Sequence, residues 1–134
     1  RGVVEQKAYF RYDSDWLPDT RRFEVGSPNR VGIAGLQLLL EVGIKRIEAR
    51  LLALTDYLLA RLKEEGYPVI TPHGCREERS GIVSFIRKDE DPEALAERLQ
   101  ANGIVVSARG PYIRVSPHFY NTEAEIKRLV EALK

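Results

Sequence analysis

The chain has 134 residues and contains no methionine, one cysteine and one tryptophan. The single thiol, Cys75, excludes an intramolecular disulfide framework and fits a reducing, cytoplasmic setting. His73 shares a loop with Cys75, but two potential ligands do not make a zinc site, and no metal is expected. Neither sign of charge prevails: 21 Lys and Arg stand against 20 Asp and Glu, a net charge of +1. That leaves no basic footprint for nucleic acid. No apolar run approaches the roughly 20 residues a membrane span needs, and no signal-peptide pattern is visible. With Arg1 leading and no methionine, the sequence reads as a piece of a longer protein rather than one that lost its initiator. Residues 1–25 support that reading, because so long an irregular segment is unusual in a compact standalone domain.

What is present is the composition of a globular domain: 43% hydrophobic and 31% charged residues. A chain of this size buries roughly two thirds of its unfolded surface. The pattern over 28–42 is helical and apolar on almost every side, which predicts a helix buried all round. Gly32 and Gly35 in it would permit close packing, and Gly43 would kink or end it. A second helix is predicted from about Lys45 to Glu65, where Ile47, Leu51, Leu54, Leu58 and Leu62 recur at steps of three and four. The period then changes. Short strands are predicted at 69–71, 80–87, 104–107 and 112–115. Helices are predicted from Asp91-Pro92 to Asn102 and over 122–134, the latter opened by the capping-box spacing of Thr122 and Glu125. The order predicts an α+β fold: long helices, then a small, largely antiparallel sheet with helices on one face. Residues 1–43 are expected to form an arm and a buried interface helix belonging to a large domain or a dimer interface, and residues 44–134 a C-terminal small domain.

Two stretches could carry chemistry. In Gly26-Ser27-Pro28-Asn29, Ser27 is placed as an N-cap with Pro28 in the first turn. The free N–H groups of such a helix start also suit an anion. The energies do not separate the two roles. A cap contributes about 1 kcal/mol and an anion at a helix end about 0.3–2 kcal/mol. In "YIRVSPHFYNT", alternation along a strand places Arg114 opposite Ile113 and Val115, on a face these helices do not cover. Its planar fork matches a carboxylate, though a surface or ion-paired role suits it equally. Arg109 is the weaker candidate, because "SARG" reads as a turn. His118 reads as a packed or solvated loop residue. None of the lysines has the context of a Schiff-base lysine.

The two stretches together resemble one family. "RRFEVGSPNRVGIAGLQLLLEVGIKRIEARLLAL" is similar to the segment that follows the cofactor lysine in class V aminotransferases. "RSGIVSF" and "GIVVSARGPYIRVSPHFYNTEAEIKRLVEAL" resemble the end of the same proteins, a group that includes cysteine desulfurases, kynureninase-like enzymes and isopenicillin-N epimerase-like proteins. The resemblance covers about residues 21–133. It implies the aspartate aminotransferase fold, pyridoxal 5'-phosphate (PLP) as cofactor, an amino-acid substrate and a homodimer with active sites at the subunit interface. It implies that Ser27, with Gly26 permitting close approach, reaches the PLP phosphate of the neighbouring subunit. It also implies that Arg114 holds the substrate α-carboxylate, with Arg109 as a second arginine near the substrate. The family's Schiff-base lysine and ring-contacting residues lie upstream of Arg1, so this chain alone is expected to be inactive.

One departure bears on the reaction. Many cysteine desulfurases carry a nucleophilic cysteine just before the carboxylate-binding arginine. Here only Gly110, Pro111, Tyr112 and Ile113 separate Arg109 from Arg114. That points to epimerase, lyase or transaminase chemistry rather than desulfuration. The alternative from another class is a standalone, non-catalytic α+β module that dimerises through its N-terminal part.

Overall fold

The structure is a computed structural model that describes residues 16–23 and 29–134. The chain divides into two compact units, Arg1–Glu41 and Val42–Lys134. Its principal elements are α1 (Arg30–Val42), α2 (Ile44–Glu64), β1 (Val83–Phe85), α3 (Pro92–Ala101), β2 (Ser107–Arg109), β3 (Tyr112–Val115) and α4 (Glu123–Ala132). Short 3-10 turns occupy Thr20–Phe23 and Arg76–Glu78.

The start of α1 departs from the sequence expectation. The helix begins at Arg30 rather than Pro28, and its cap is Asn29. The Asn29 side-chain oxygen accepts from Gly32 N–H at 2.9 Å, while its carbonyl accepts from Ile33 N–H at 3.0 Å. Asn ranks with Ser among the strongest caps, so it can take the role from a neighbouring serine. Gly32 is part of this arrangement, because a Cβ there would lie 2.8 Å from the Asn29 side-chain nitrogen. A Cβ at Gly35 would meet nothing within 4 Å, so the close packing expected of it is not found among the described residues.

The apolar side chains of α1 are also not buried. Val31 is 85% exposed, and Ile33, Leu36, Leu38 and Leu40 are exposed as well. A helix of this composition does not stabilise itself in water, so its apolar surface belongs against another one. The described residues leave these side chains exposed.

The second unit has a conventional core. Leu54, Thr55, Leu58 and Leu62 are buried along α2, and the Thr55 hydroxyl is satisfied by donating to the Leu52 carbonyl at 3.0 Å. The helix ends at Gly66, whose φ of +76° suits a residue without a Cβ. There the N–H groups of Tyr67 and Gly66 return to the carbonyls of Leu62 and Lys63, the reciprocal pair of a Schellman stop. The same stop closes α3: Ile104 and Gly103 donate to Leu99 and Gln100. The other helix starts follow the sequence reading. Asp91 accepts from Glu93 and Ala94 N–H at 3.1 and 3.0 Å, with Pro92 in the first turn. Thr122 and Glu125 form both bonds of the capping box.

The sheet has three antiparallel strands in the order β1-β3-β2, which bears out the α+β expectation. The details shift. The strand expected at 69–71 is reduced to a single bridge between Val69 and Phe85, flanked by bonds from Ile70 N–H to Ser84 O and from Ile86 N–H to Pro68 O. The strand expected at 104–107 lies instead at 107–109. The cause is the two-residue turn Gly110-Pro111, which makes Arg109 and Tyr112 partners. Pairing grows outward from that turn and reaches only to Ser107 opposite Arg114. Gly110 has a φ of +55°, and the following proline fixes φ near about −65°, the sign pattern of a type II′ hairpin turn.

Val83, Phe85, Ile113 and Val115 form the buried face of this sheet and join α2, α3 and α4 in one core. α2 contacts β1, α3 contacts β2 and β3, and α4 packs along α2. Each fully buried Leu or Phe in such a core contributes about 1.5–3 kcal/mol. Two side chains pin the C-terminal end of α4 to its surroundings. Tyr67 Oη donates to Leu133 O at 3.1 Å, and Arg98 Nη1 donates to Ala132 O at 2.9 Å.

Candidate carboxylate site

The functional interest lies on the other face of the sheet. In β3, Ile113 and Val115 turn into the core, so Tyr112 and Arg114 alternate to the opposite side. Arg114 occupies the middle of the central strand. Ser84 of β1 is its partner on one flank and Ser107 of β2 on the other. Directly opposed residues share a face. A row of Ser84, Arg114 and Ser107 therefore crosses the sheet, with a small side chain paired to the arginine on each flank. The sequence showed the alternation in "YIRV", but not the register that aligns the two serines with Arg114.

Arg114 is half-buried, and its Nε is shielded from solvent with no hydrogen-bond partner among the described residues. Buried polar groups are normally satisfied, so an orphaned guanidinium nitrogen is a place to look for a ligand. Arg61 Nε and Arg87 Nη1 are likewise shielded without a hydrogen bond, but both of those side chains pair with a carboxylate, as several other arginines do. Arg98 makes two 2.9 Å bonds to Glu90, Arg87 lies 3.1 Å from the same carboxylate, and Arg79 bonds both Asp56 and the Leu52 carbonyl. Arg50 reaches the Asn121 carbonyl at 3.0 Å. The Arg98 guanidinium holds the Glu90 carboxyl below the usual carboxylate range.

Arg109 is not in a turn, as the sequence suggested. It ends β2, opposite Tyr112, because the turn is confined to Gly110-Pro111. Arg109 therefore shares the face of Tyr112 and Arg114. It is exposed, and its Nη1 donates to the carbonyl of its own neighbour Ala108 at 3.1 Å.

Gly26 and Ser27 lie outside the described residues. Asn29 still bears on them. It supplies a side-chain cap of α1, accepting from Gly32 N–H at 2.9 Å. In donor chemistry, a hydroxyl residue after glycine at a helix approach suits a phosphate such as that of PLP.

The remaining polar candidates are not drawn together. His73 Nδ1 lies 2.8 Å from the Thr71 carbonyl, and Cys75 is exposed beside the Arg76–Glu78 turn. Among the described residues, no three His, Cys, Asp or Glu side chains form a metal-ligand group. His118 packs against the rings of Phe119 and Tyr120, at centroid distances of 4.7 and 4.3 Å. Its backbone N–H is held by the Asn121 side chain at 2.7 Å, which fits the packed-loop reading. Among the described residues, no helix is long and apolar enough to cross a membrane.

The family model for class-V aminotransferases matches residues 2–129. The chain belongs to that family. A probable cysteine desulfurase of Halalkalibacterium halodurans is 33% identical over 141 residues, covering 92% of this chain and 34% of the relative. A kynureninase of Shouchella clausii is 31% identical over 120 residues, covering 84% of this chain and 28% of the relative. An uncharacterised aminotransferase of Bacillus subtilis is 25% identical over 126 residues, covering 91% and 33% respectively. The chain thus spans about a third of the length of these class V relatives. Among solved structures, the apo cysteine desulfurase of Thermococcus onnurineus superposes with a TM-score of 0.80 at 24% identity, covering 98% of this chain and 36% of that one. A cystine C-S lyase in complex with cysteine persulfide gives 0.74 at 23% identity, covering 90% and 33%. At these identities the superpositions establish the fold, which is that of class V enzymes.

Proposed function

We propose that this class V chain is the interface and small-domain portion of a PLP-dependent enzyme acting on an amino acid, in which Arg114 holds the substrate α-carboxylate. The observation that carries the reading is the half-buried Arg114, whose shielded Nε has no hydrogen-bond partner among the described residues and which is flanked across the sheet by Ser84 and Ser107. A bidentate guanidinium–carboxylate contact is strong and directional, so it orients the substrate as well as binding it. The strand and its two neighbours fix the base of the arginine before substrate arrives, which lowers the cost of binding. Gly26 and Ser27 are assigned to the PLP phosphate of a partner subunit in a homodimer. When bound, PLP supplies the electron sink for carbanion chemistry at the amino acid, while the protein sets its orientation. The exposed apolar side chains of α1 fit a helix that is covered in such an assembly. The working compartment assigned to it is the cytoplasm.

The reaction type assigned here is epimerase, lyase or transaminase rather than desulfurase. The β2–β3 connection is the two-residue turn Gly110-Pro111, which has no cysteine and no length for a mobile nucleophile. Cys75 sits in a different loop, before the Arg76–Glu78 turn. The test is turnover by the full-length protein with PLP over an amino-acid panel that includes cysteine. Activity on non-sulfur amino acids with no sulfide release from cysteine supports the assignment; sulfide release as the main activity overturns it. Ser27→Ala should weaken PLP retention on dialysis, and unchanged retention would remove Ser27 from the phosphate site.

A further inference from the structure

We propose that the substrate carries a second acidic group and that Arg109 holds it, so that the site selects a dicarboxylic amino acid or a close acidic analogue. This rests on the reading of Arg114 as the α-carboxylate holder and adds the side-chain class of the substrate.

The argument starts from the hairpin register. Arg109 is opposite Tyr112, and Tyr112 is two residues from Arg114 on the same strand. The two arginines are therefore diagonal neighbours on one face, roughly 7–8 Å apart in the backbone by the geometry of antiparallel strands. Ser84, Ser107 and Tyr112 complete the paired positions of that face, and none is acidic. Two cations thus stand on backbones about one Debye length apart, about 8 Å at physiological salt, with no carboxylate among their paired neighbours. Elsewhere in the chain, Arg79, Arg87 and Arg98 each meet a carboxylate. Among the described residues, the hydrogen bond of the Arg109 side chain goes to the Ala108 carbonyl and not to a carboxylate.

One carboxylate fills one bidentate fork. With Arg114 engaged at the middle of the sheet, the Arg109 fork remains for a second anion nearer the hairpin tip. The different exposure of the two fits this order. Half-buried Arg114 suits the group common to all amino acids, and exposed Arg109 suits a group that extends away from it. The same pair of charges repels a basic side chain, so discrimination works in both directions.

The test uses the intact PLP-loaded enzyme and two probes of equal carbon count, succinate and butyrate, measured by titration calorimetry. Succinate should bind at least about tenfold more tightly, the scale of one additional hydrogen-bonded charge. Arg109→Ala and Arg109→Gln should remove that advantage and leave butyrate binding unchanged, with Arg109→Lys retaining part of it. Equal binding of the two probes by the unaltered enzyme would overturn the proposal. So would an equal weakening of both probes in the Arg109 variants, because Arg109 would then serve the same carboxylate as Arg114 or only the scaffold. Arg114→Ala reports separately: it should weaken both probes, and failure to do so would refute the α-carboxylate reading itself.

Discussion

Arg98 grips the carboxylate of Glu90 through two parallel 2.9 Å hydrogen bonds, one from Nε and one from Nη2. The guanidinium's remaining nitrogen, Nη1, caps the Ala132 carbonyl near the end of α4. This is an arginine fully used in holding the fold, and it shows by contrast what Arg114 lacks. The pair also makes stability depend on pH. The Arg98 guanidinium lowers the folded-state pKa of Glu90 below its ordinary 4.5. A lowered carboxyl contributes stability that is present above the unfolded value and is lost as pH falls through the folded one. Melting temperature should therefore decline on acidification below about pH 4.5, and Glu90→Gln should flatten part of that decline. A melting series from pH 7 to 3 on both proteins checks it.

The core prediction concerns Phe85. It is fully buried at the end of β1, with its ring 5.8 Å from that of Tyr67. Phe85→Ala should cost about 3–5 kcal/mol, and Leu58→Ala, in the same core on α2, about 2–5 kcal/mol. Denaturant titration gives both values. A loss under 1 kcal/mol at either position would mean that the core is not packed as described.

The capping box of α4 should be worth about 1 kcal/mol. Thr122→Ala removes the side-chain acceptor for Glu125 N–H and the Oγ1 donor that meets the Glu125 carboxylate at 3.0 Å, while the backbone N–H of residue 122 keeps its 2.7 Å bond to that carboxylate. Thr122→Ser, which keeps the hydroxyl, should recover most of the loss. The same melting assay compares the two.

The hairpin turn sets the register on which the site depends. Gly110 has a φ of +55°, where a Cβ costs roughly 1–2 kcal/mol. Gly110→Val should destabilise the chain by that amount or more. It should also weaken carboxylate binding, because Arg109 and Arg114 are positioned by pairing that starts at this turn. Calorimetric titration with succinate tests the second effect independently of the first.

Much of this architecture was legible in the sequence, and the parts that were not share a cause. Helices α2, α3 and α4 could be read because their periodicity, caps and stop glycines are local signals: Leu54, Leu58 and Leu62 on one face, Asp91-Pro92 and Thr122-Glu125 at the starts, Gly66 and Gly103 at the ends. Arg114 could be read as facing away from the helices, because alternation in a strand is local too. Pairing is not local. The shift of β2 to 107–109, the placement of Arg109 on the Arg114 face and the flanking by Ser84 and Ser107 all depend on the register set at Gly110-Pro111. The α1 start was misplaced by a closer competition, between Ser27 and Asn29 as caps of similar strength. The burial predicted for α1 followed from composition, and composition does not say which chain provides the cover.

The most direct test of the central claim is the substrate affinity of the intact PLP-loaded enzyme carrying Arg114→Ala. The lost contact is a hydrogen-bonded charge pair, so amino-acid binding should weaken by about ten- to a hundredfold or more while the cofactor absorbance band persists. Arg114→Lys should recover only part, since an ammonium cannot reproduce the planar fork. Unchanged amino-acid affinity in Arg114→Ala, with the cofactor band lost instead, would contradict the account.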